Sequence, residues 1–217
     1  MKAAYACVVN STLLAGCLAL FSLAYAGQPS QATEDNIARK LNAVNVHYLQ
    51  LESGDPFSYQ RGDQRLIPAF FYQEAAEYFR DDLIARSDIT SAKTTADGLG
   101  DVYLQKDTRA GRFVLMANPE QLAQARRFND DPDFDEVPVF AVKHRDSGEF
   151  LTMVFDGQTI LPFFIESQRV ARALTLMKAQ GNNPDDWQII AFPLATVVND
   201  LYAGRLAVQK VRFIGPQ

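Results

Sequence analysis

"RLIPAFFYQEAAEYF" (residues 65–79) is followed 93 or so positions later by "TILPFFIESQRVARAL" (residues 159–174). Each stretch is an apolar strand with a proline and a Phe-Phe pair, running straight into a helical pattern. Two copies of one local design in a single chain point to an internal repeat. A repeat fixes the reading of everything around it.

Outward from the second copy, "NPEQLAQARRF" places Asn118 at an N-cap and Pro119 at the first helical position. An acidic loop, "NDDPDFDE", leads to the strand "VPVFAVKH", the turn "RDSGE" and a second strand, "FLTMVF". Asp156-Gly157 then predicts a tight hairpin, because both residues tolerate positive φ. After "TILPFFI", a helix opens at Glu166 or Ser167 and runs to about Gln180, with Val170, Leu174 and Met177 on one face. "WQIIAF" is a fourth strand, "LATVVNDLY" a short helix ended by Gly204, and "LAVQKVRFI" the last strand.

The first half follows the same order. Thr33 caps a helix bearing Ile37 and Leu41. "VNVHYLQL", "PFSYQ" and "RLIPAFFY" form a three-strand meander, and "QEAAEYFRDDLIA" a helix with Ala75, Ala76, Phe79 and Leu83 on one face. "ITSAKT", "LGDVYLQ" and "GRFVLMA" supply strand, short helix and strand. Val44 and Val46 match Val137 and Val139 at an offset of 93, Phe70-Phe71 match Phe163-Phe164 at the same offset, and Leu99 matches Leu194 at 95. The expected fold is α/β (α+β), internally duplicated. Two pseudo-twofold-related halves, residues 33–117 and 118–216, make one domain, each ordered helix, three-strand meander, helix, strand, helix, strand.

Strands covered on one side alternate apolar and polar residues. "LIPAFFY" and "ILPFFI" do not alternate, so either both faces are buried or one face lines an apolar groove. On the groove reading, Phe70, Phe71, Phe140, Phe163 and Phe164 are the candidate client-binding residues.

Residues 1–26 read as an export leader. Lys2 precedes the apolar run "LLAGCLALFSLAYA", Ala24-Tyr25-Ala26 is a small-x-small cleavage site, and a polar stretch follows from Gly27. Leu14-Ala15-Gly16-Cys17 also fits a lipoprotein box, so lipidation at Cys17 is the alternative to cleavage after Ala26. Cys7 and Cys17 are the only cysteines. Cleavage after Ala26 would leave residues 27–217 without thiol chemistry, disulfides or thiolate metal sites. The net charge is −5, and one unit more negative without Lys2. That balance argues against a nucleic-acid partner. No later segment reaches the ~20 apolar residues of a transmembrane span.

Catalytic signatures are lacking. His47 and His144 are the only histidines, and no nucleophile elbow, zinc-protease, phosphate-loop or dinucleotide motif occurs. Asp131, Asp133 and Asp135 alternate as in a calcium loop, but Glu136 takes the glycine position and Val142 the bidentate glutamate position. The loop therefore reads as a solvated linker between the halves. Asp81-Asp82 and Asp185-Asp186 read as solvated acids. No cofactor and no metal are expected.

The order "VPVFAVKHRDSGEFLTMVFDGQTILPFFIESQ", helix, "WQIIAFPLATVVNDL", strand resembles the family of the 22 kDa subunit of the chloroplast Tic translocon. "QEAAEYFRDDL", "GLGDVYLQ" and "GRFVLMANPEQLAQA" agree with it in order. The resemblance spans residues 37–216, and its motifs are structural rather than catalytic. It implies a pseudo-twofold domain with apolar pockets, no enzymatic activity and a place between two membranes. The implied role is that of a chaperone or adaptor in protein transport or outer-membrane protein biogenesis. Its implied partners are unfolded or precursor proteins and the outer-membrane barrel-assembly machinery. Asn45 stands where the second half has Pro138, and "PFSYQRGDQ" is more polar than the pattern. The leader is of the bacterial export type, which places the protein in the periplasm. The alternatives are a lipid-anchored scaffold facing the periplasm, held through Cys17 and binding a folded partner, and a periplasmic hydrolase with dispersed carboxylates.

Overall fold

The computed structural model describes residues 31–104, 110–179 and 181–216. The leader, with Cys17, lies outside them. The first half runs α1 (Gln31–Leu41), β1 (Asn45–Leu51), β2 (Tyr59–Arg61), β3 (Gln64–Phe70), α2 (Gln73–Arg86), β4 (Ala92–Gly98), α3 (Leu99–Leu104) and β5 (Arg112–Met116). The second runs α4 (Pro119–Asn129), β6 (Pro138–His144), β7 (Met153–Phe155), β8 (Gln158–Phe164), α5 (Ser167–Ala179), β9 (Trp187–Pro193), α6 (Leu194–Tyr202) and β10 (Val211–Ile214).

The two halves make the same strand pairings. In the first sheet the antiparallel order is β2-β3-β1-β4, with β5 parallel to β3. In the second it is β7-β8-β6-β9, with β10 parallel to β8. The β7–β8 turn forms as its residues require: Asp156 and Gly157 both have positive φ, 48° and 75°.

Register corrects one alignment. His47 lies opposite Phe70, and Phe140 lies opposite Phe164. The counterpart of Phe70 is therefore Phe164, an offset of 94, and Pro68 corresponds to Pro162. Phe163 corresponds to Ala69, and Ile165 to Phe71. The second half carries one extra residue between its first and third strands. A slip of one position moves a strand residue to the other face, so the two Phe-Phe pairs are not equivalent in space.

The last strand of the second half and the fourth strand of the first also shift. Val208–Lys210 is a single 3-10 turn ahead of β10, and β4 covers Ala92–Gly98 rather than the more apolar residues before it. β4 is built on the register of β1, from Asn45 opposite Gly98 to Leu51 opposite Ala92. With one sheet neighbour it can be formed from polar, small residues.

Apolar faces of both sheets meet in a shared core. Val46, Ala69 and Phe71 from the first half join Val139, Phe163, Ile165, Val211 and Phe213 from the second. The short helices α3 and α6 complete it through Leu99, Val102, Leu194, Val197 and Leu201. A second core lies on the other face of the second sheet, where Phe140, Val142 and Phe164 pack under Ala125 of α4 and Val170, Ala173 and Met177 of α5. This is why "ILPFFI" does not alternate: its two faces belong to two cores.

The first helix of each half goes to a different place. α1 packs against α3, α6 and β10, burying Ile37 and Leu41 in the shared core. α4 packs against β9 and β6 on the opposite face of its sheet. Linker length accounts for the difference. Three residues, 42–44, join α1 to β1, whereas eight, 130–137, join α4 to β6. The acidic loop thus lies within the second half and not between the halves. Phe134 anchors it, buried, with its carbonyl accepting from Arg126 Nε at 2.9 Å. α1 sits so close to α3 that a Cβ on Gly100 would run into the Ala38 carbonyl.

Candidate functional site

Phe71, Phe140, Phe163 and Phe164 are 4, 0, 2 and 4% exposed. In this conformation they are packing residues: Phe71 and Phe163 in the shared core, Phe140 and Phe164 in the outer one. They offer a client no surface. Phe70 is half-buried and stacks at a tilt on Phe79 of α2, 5.4 Å between centroids. The burial follows from the two-sided coverage of β6 and β8, which the sequence left open as one of two readings.

An open site exists elsewhere. A cleft of about 980 Å³ lies beside β5, at the junction of the halves. Phe113 and Leu115 of β5, Val102 and Tyr103 of α3, and Val137, Leu194 and Ala195 of the second half line it. Met116, 39% exposed, stands at its margin. Arg61, Arg65 and Arg112 rim it together with Asp63, Asp135 and Glu136. Phe113 is fixed edge-on against Tyr48, with centroids 5.2 Å apart. Gly111 precedes β5, and its φ of 139° and lack of a Cβ let it lie against the Arg65 backbone. Burial pushes the Tyr103 phenol up, Glu136 adds to the effect and Arg112 opposes it. The lining is mixed: apolar side chains of β5, α3 and the second half and the Tyr103 phenol lie beside charges of both signs.

The origin of the cleft is the asymmetry of the first helices. β10 has α1 packed against it. Its counterpart β5 meets α3 but has no equivalent of α1, because α4 has gone to the outer face. "GRFVLMA" carried a usable signal: four successive apolar residues on a terminal strand with one sheet neighbour leave apolar surface to be covered.

The titratable candidates have local structural roles. His144 Nδ1 accepts from the backbone N–H groups of Asp146 and Ser147, both at 3.3 Å, and its ring meets Trp187 edge-on. His47 is half-buried. Burial lowers its pKa, and Glu74 and Glu77 of α2 oppose that shift. Asp81 pairs with Arg80 and Asp82 with Arg86. Asp185 and Asp186 lie in a 3-10 turn that Asn183 caps. Asp131 accepts the Asp133 N–H at 3.0 Å. Tyr72 is different: its hydroxyl is buried, and burial with Glu166 and Glu120 pushes its pKa up.

Among the described residues, no helix is long and apolar enough to cross a membrane. The profile of the Tic22-like family matches residues 16–210, and the chain belongs to that family. No curated protein matches it in sequence. Solved structures of similar fold include the following. Anabaena Tic22, described as a protein of protein transport, superposes with a TM-score of 0.69 at 17% identity, covering 84% of this chain and 92% of its own. Tic22 from Plasmodium falciparum superposes with a TM-score of 0.66 at 18% identity, covering 83% of this chain and 91% of its own.

Proposed function

We propose that the protein is a non-enzymatic, periplasmic chaperone or adaptor in protein transport, holding polypeptide clients by apolar side chains in the cleft beside β5. The observation that carries this is the cleft beside β5, where Phe113 and Leu115 are only partly buried and Met116 is exposed, whereas the counterpart strand β10 is covered by α1. Family membership supports it, as does the description of the Anabaena relative as a transport protein. A periplasmic site rests on the leader-like residues 1–26. Outer-membrane barrel precursors suit such a cleft because their strands alternate apolar residues. Each apolar side chain that a client buries contributes about 1.5–3 kcal/mol before ordering costs. A few contacts therefore give a weak, reversible hold, and the mixed rim tolerates clients of either charge.

The test is a holdase assay. Purified protein is titrated into an outer-membrane barrel diluted out of urea, with light scattering as the readout. Aggregation should be suppressed near stoichiometry, and Met116→Asp should weaken the suppression while leaving the urea midpoint unchanged. Absence of suppression by the wild-type protein would sink the chaperone reading and leave an adaptor for folded partners.

A further inference from the structure

The outer edge of the fourth strand is closed in the second sheet, at β9, and open in the first, at β4. Leu99 N donates to Val44 O at 2.8 Å, which sets the phase of the β1–β4 ladder. Val46 with Asp97, Tyr48 with Thr95 and Gln50 with Lys93 are then the hydrogen-bonded pairs. Ala92, Thr94, Ala96 and Gly98 point their N–H and C=O groups away from β1. The second sheet has the same phase, since Leu194 N donates to Val137 O at 2.8 Å. There the outward groups of Ala191 are both taken by the Asn129 side chain of α4, at 2.9 Å to the N–H and 2.8 Å to the C=O. Ala96 is the counterpart of Ala191, and it is exposed. Among the described residues, nothing plays the part of Asn129 on β4, because α1 lies in the shared core.

We propose that this edge pairs with β4 of a second copy of the chain, antiparallel about a twofold axis through Thr95. The sequence of β4, Ala-Lys-Thr-Thr-Ala-Asp-Gly, is self-complementary in that register. Thr94 meets Ala96 and Ala92 meets Gly98 as hydrogen-bonded pairs, each formed twice, which uses every outward backbone group of the strand. Lys93 meets Asp97, also twice, in the non-bonded positions where side chains approach most closely. Both residues are exposed. The Asp97 carboxylate is pre-oriented, since its Oδ2 accepts from the Tyr48 hydroxyl at 2.7 Å and leaves Oδ1 for the incoming lysine. An isologous contact of this kind closes on itself and ends at two copies. An unrelated extended segment would find the same backbone groups but not the alternation of charge. The interface is distinct from the β5 cleft and does not depend on the function proposed for it.

Sedimentation velocity over a concentration series, at low salt, tests the pairing. The wild-type chain should show a monomer–dimer equilibrium that weakens as salt rises. Lys93→Asp places like charges opposite each other twice and should raise the dimer Kd at least about tenfold. Lys93→Asp combined with Asp97→Lys restores opposite charges and should recover most of that loss. Ala96→Pro removes one outward N–H without touching the β1 ladder and should abolish the dimer. Circular dichroism and the urea midpoint report whether each variant is folded. If Ala96→Pro is not folded, the charge-swap series alone decides. A wild-type chain that stays monomeric throughout would overturn the proposal, and so would a dimer indifferent to Lys93→Asp. Slowed exchange of the Thr94 and Ala96 amides only on adding urea-diluted barrel protein, with no self-association, would overturn it in favour of a client strand on this edge.

Discussion

Phe164→Ala separates the two meanings of the apolar strand most sharply. Phe164 is 4% exposed and lies in the outer core with Phe140, Val170 and Met177. Truncation removes a buried ring from a site closed by β6 and α5, so the expected loss is about 3–5 kcal/mol. A domain of this kind has a total stability of about 5–15 kcal/mol. At a urea dependence of about 2 kcal/mol per molar, the midpoint should fall by about 1.5–2.5 M. Trp187 is the single tryptophan and packs against the same cluster, so its fluorescence follows the transition locally. The same variant, below its transition, should hold an unfolded barrel as well as wild type does. A midpoint loss under about 0.5 M together with weakened client holding would refute the core assignment and return the residue to a binding groove.

Four further outcomes are expected. Gly100→Ala should destabilise by about 1–3 kcal/mol in a urea titration, because the new Cβ meets the Ala38 carbonyl and pushes α1 off α3. Asn129→Ala should lower stability by about 1–3 kcal/mol by freeing both outward groups of Ala191, and hydrogen exchange at the Ala191 amide should accelerate. Thr94→Val should be neutral or stabilising by up to about 1 kcal/mol, since the Thr94 hydroxyl is buried without a partner and valine keeps the shape. For His47 the folded pKa lies below its ordinary value of 6.5 because of burial. Below that value the unfolded chain binds more protons than the folded one, so this contribution is fully present above about 6.5 and lost as pH falls toward the folded value. Urea midpoints at neutral and mildly acid pH should therefore converge in His47→Gln relative to wild type.

The element order common to the two halves was legible because each half shows the same local pattern. Proline, paired aromatics and a following helix recur at nearly constant spacing, and the pairings of both sheets follow from that order. Three things were hidden, each for a physical reason. The one-residue extension before β8 shifts Phe164 against Phe71, and only the ladder shows which residues oppose one another. β4 was misplaced because Ala96-Asp97-Gly98 reads as turn chemistry, while a strand with one neighbour needs little side-chain burial. The cleft was missed because apolar residues on β5 look like core residues. Their partial exposure depends on α4, which lies on the outer face of its own sheet and leaves β5 without the cover that α1 gives β10. Of the five candidate phenylalanines, Phe71, Phe140, Phe163 and Phe164 are buried, because a strand that does not alternate fits coverage on both faces as well as it fits a groove.

Both openings in this molecule follow from one difference between its halves. Two halves that packed identically would bury equivalent surfaces equivalently. Here three residues hold α1 close to β1 and inside the shared core, while eight let α4 reach around its sheet. α4 then brings Asn129 to the edge of β9 and apolar side chains to the outer face. The first half receives neither, so β4 keeps an open edge. The second half in turn sends no helix back to β5, so the cleft remains. Burial in the outer core, by contrast, gains a second covering helix and makes the second sheet the better packed. The strands fix what the halves share, and the two linkers decide where the surface is left unfinished.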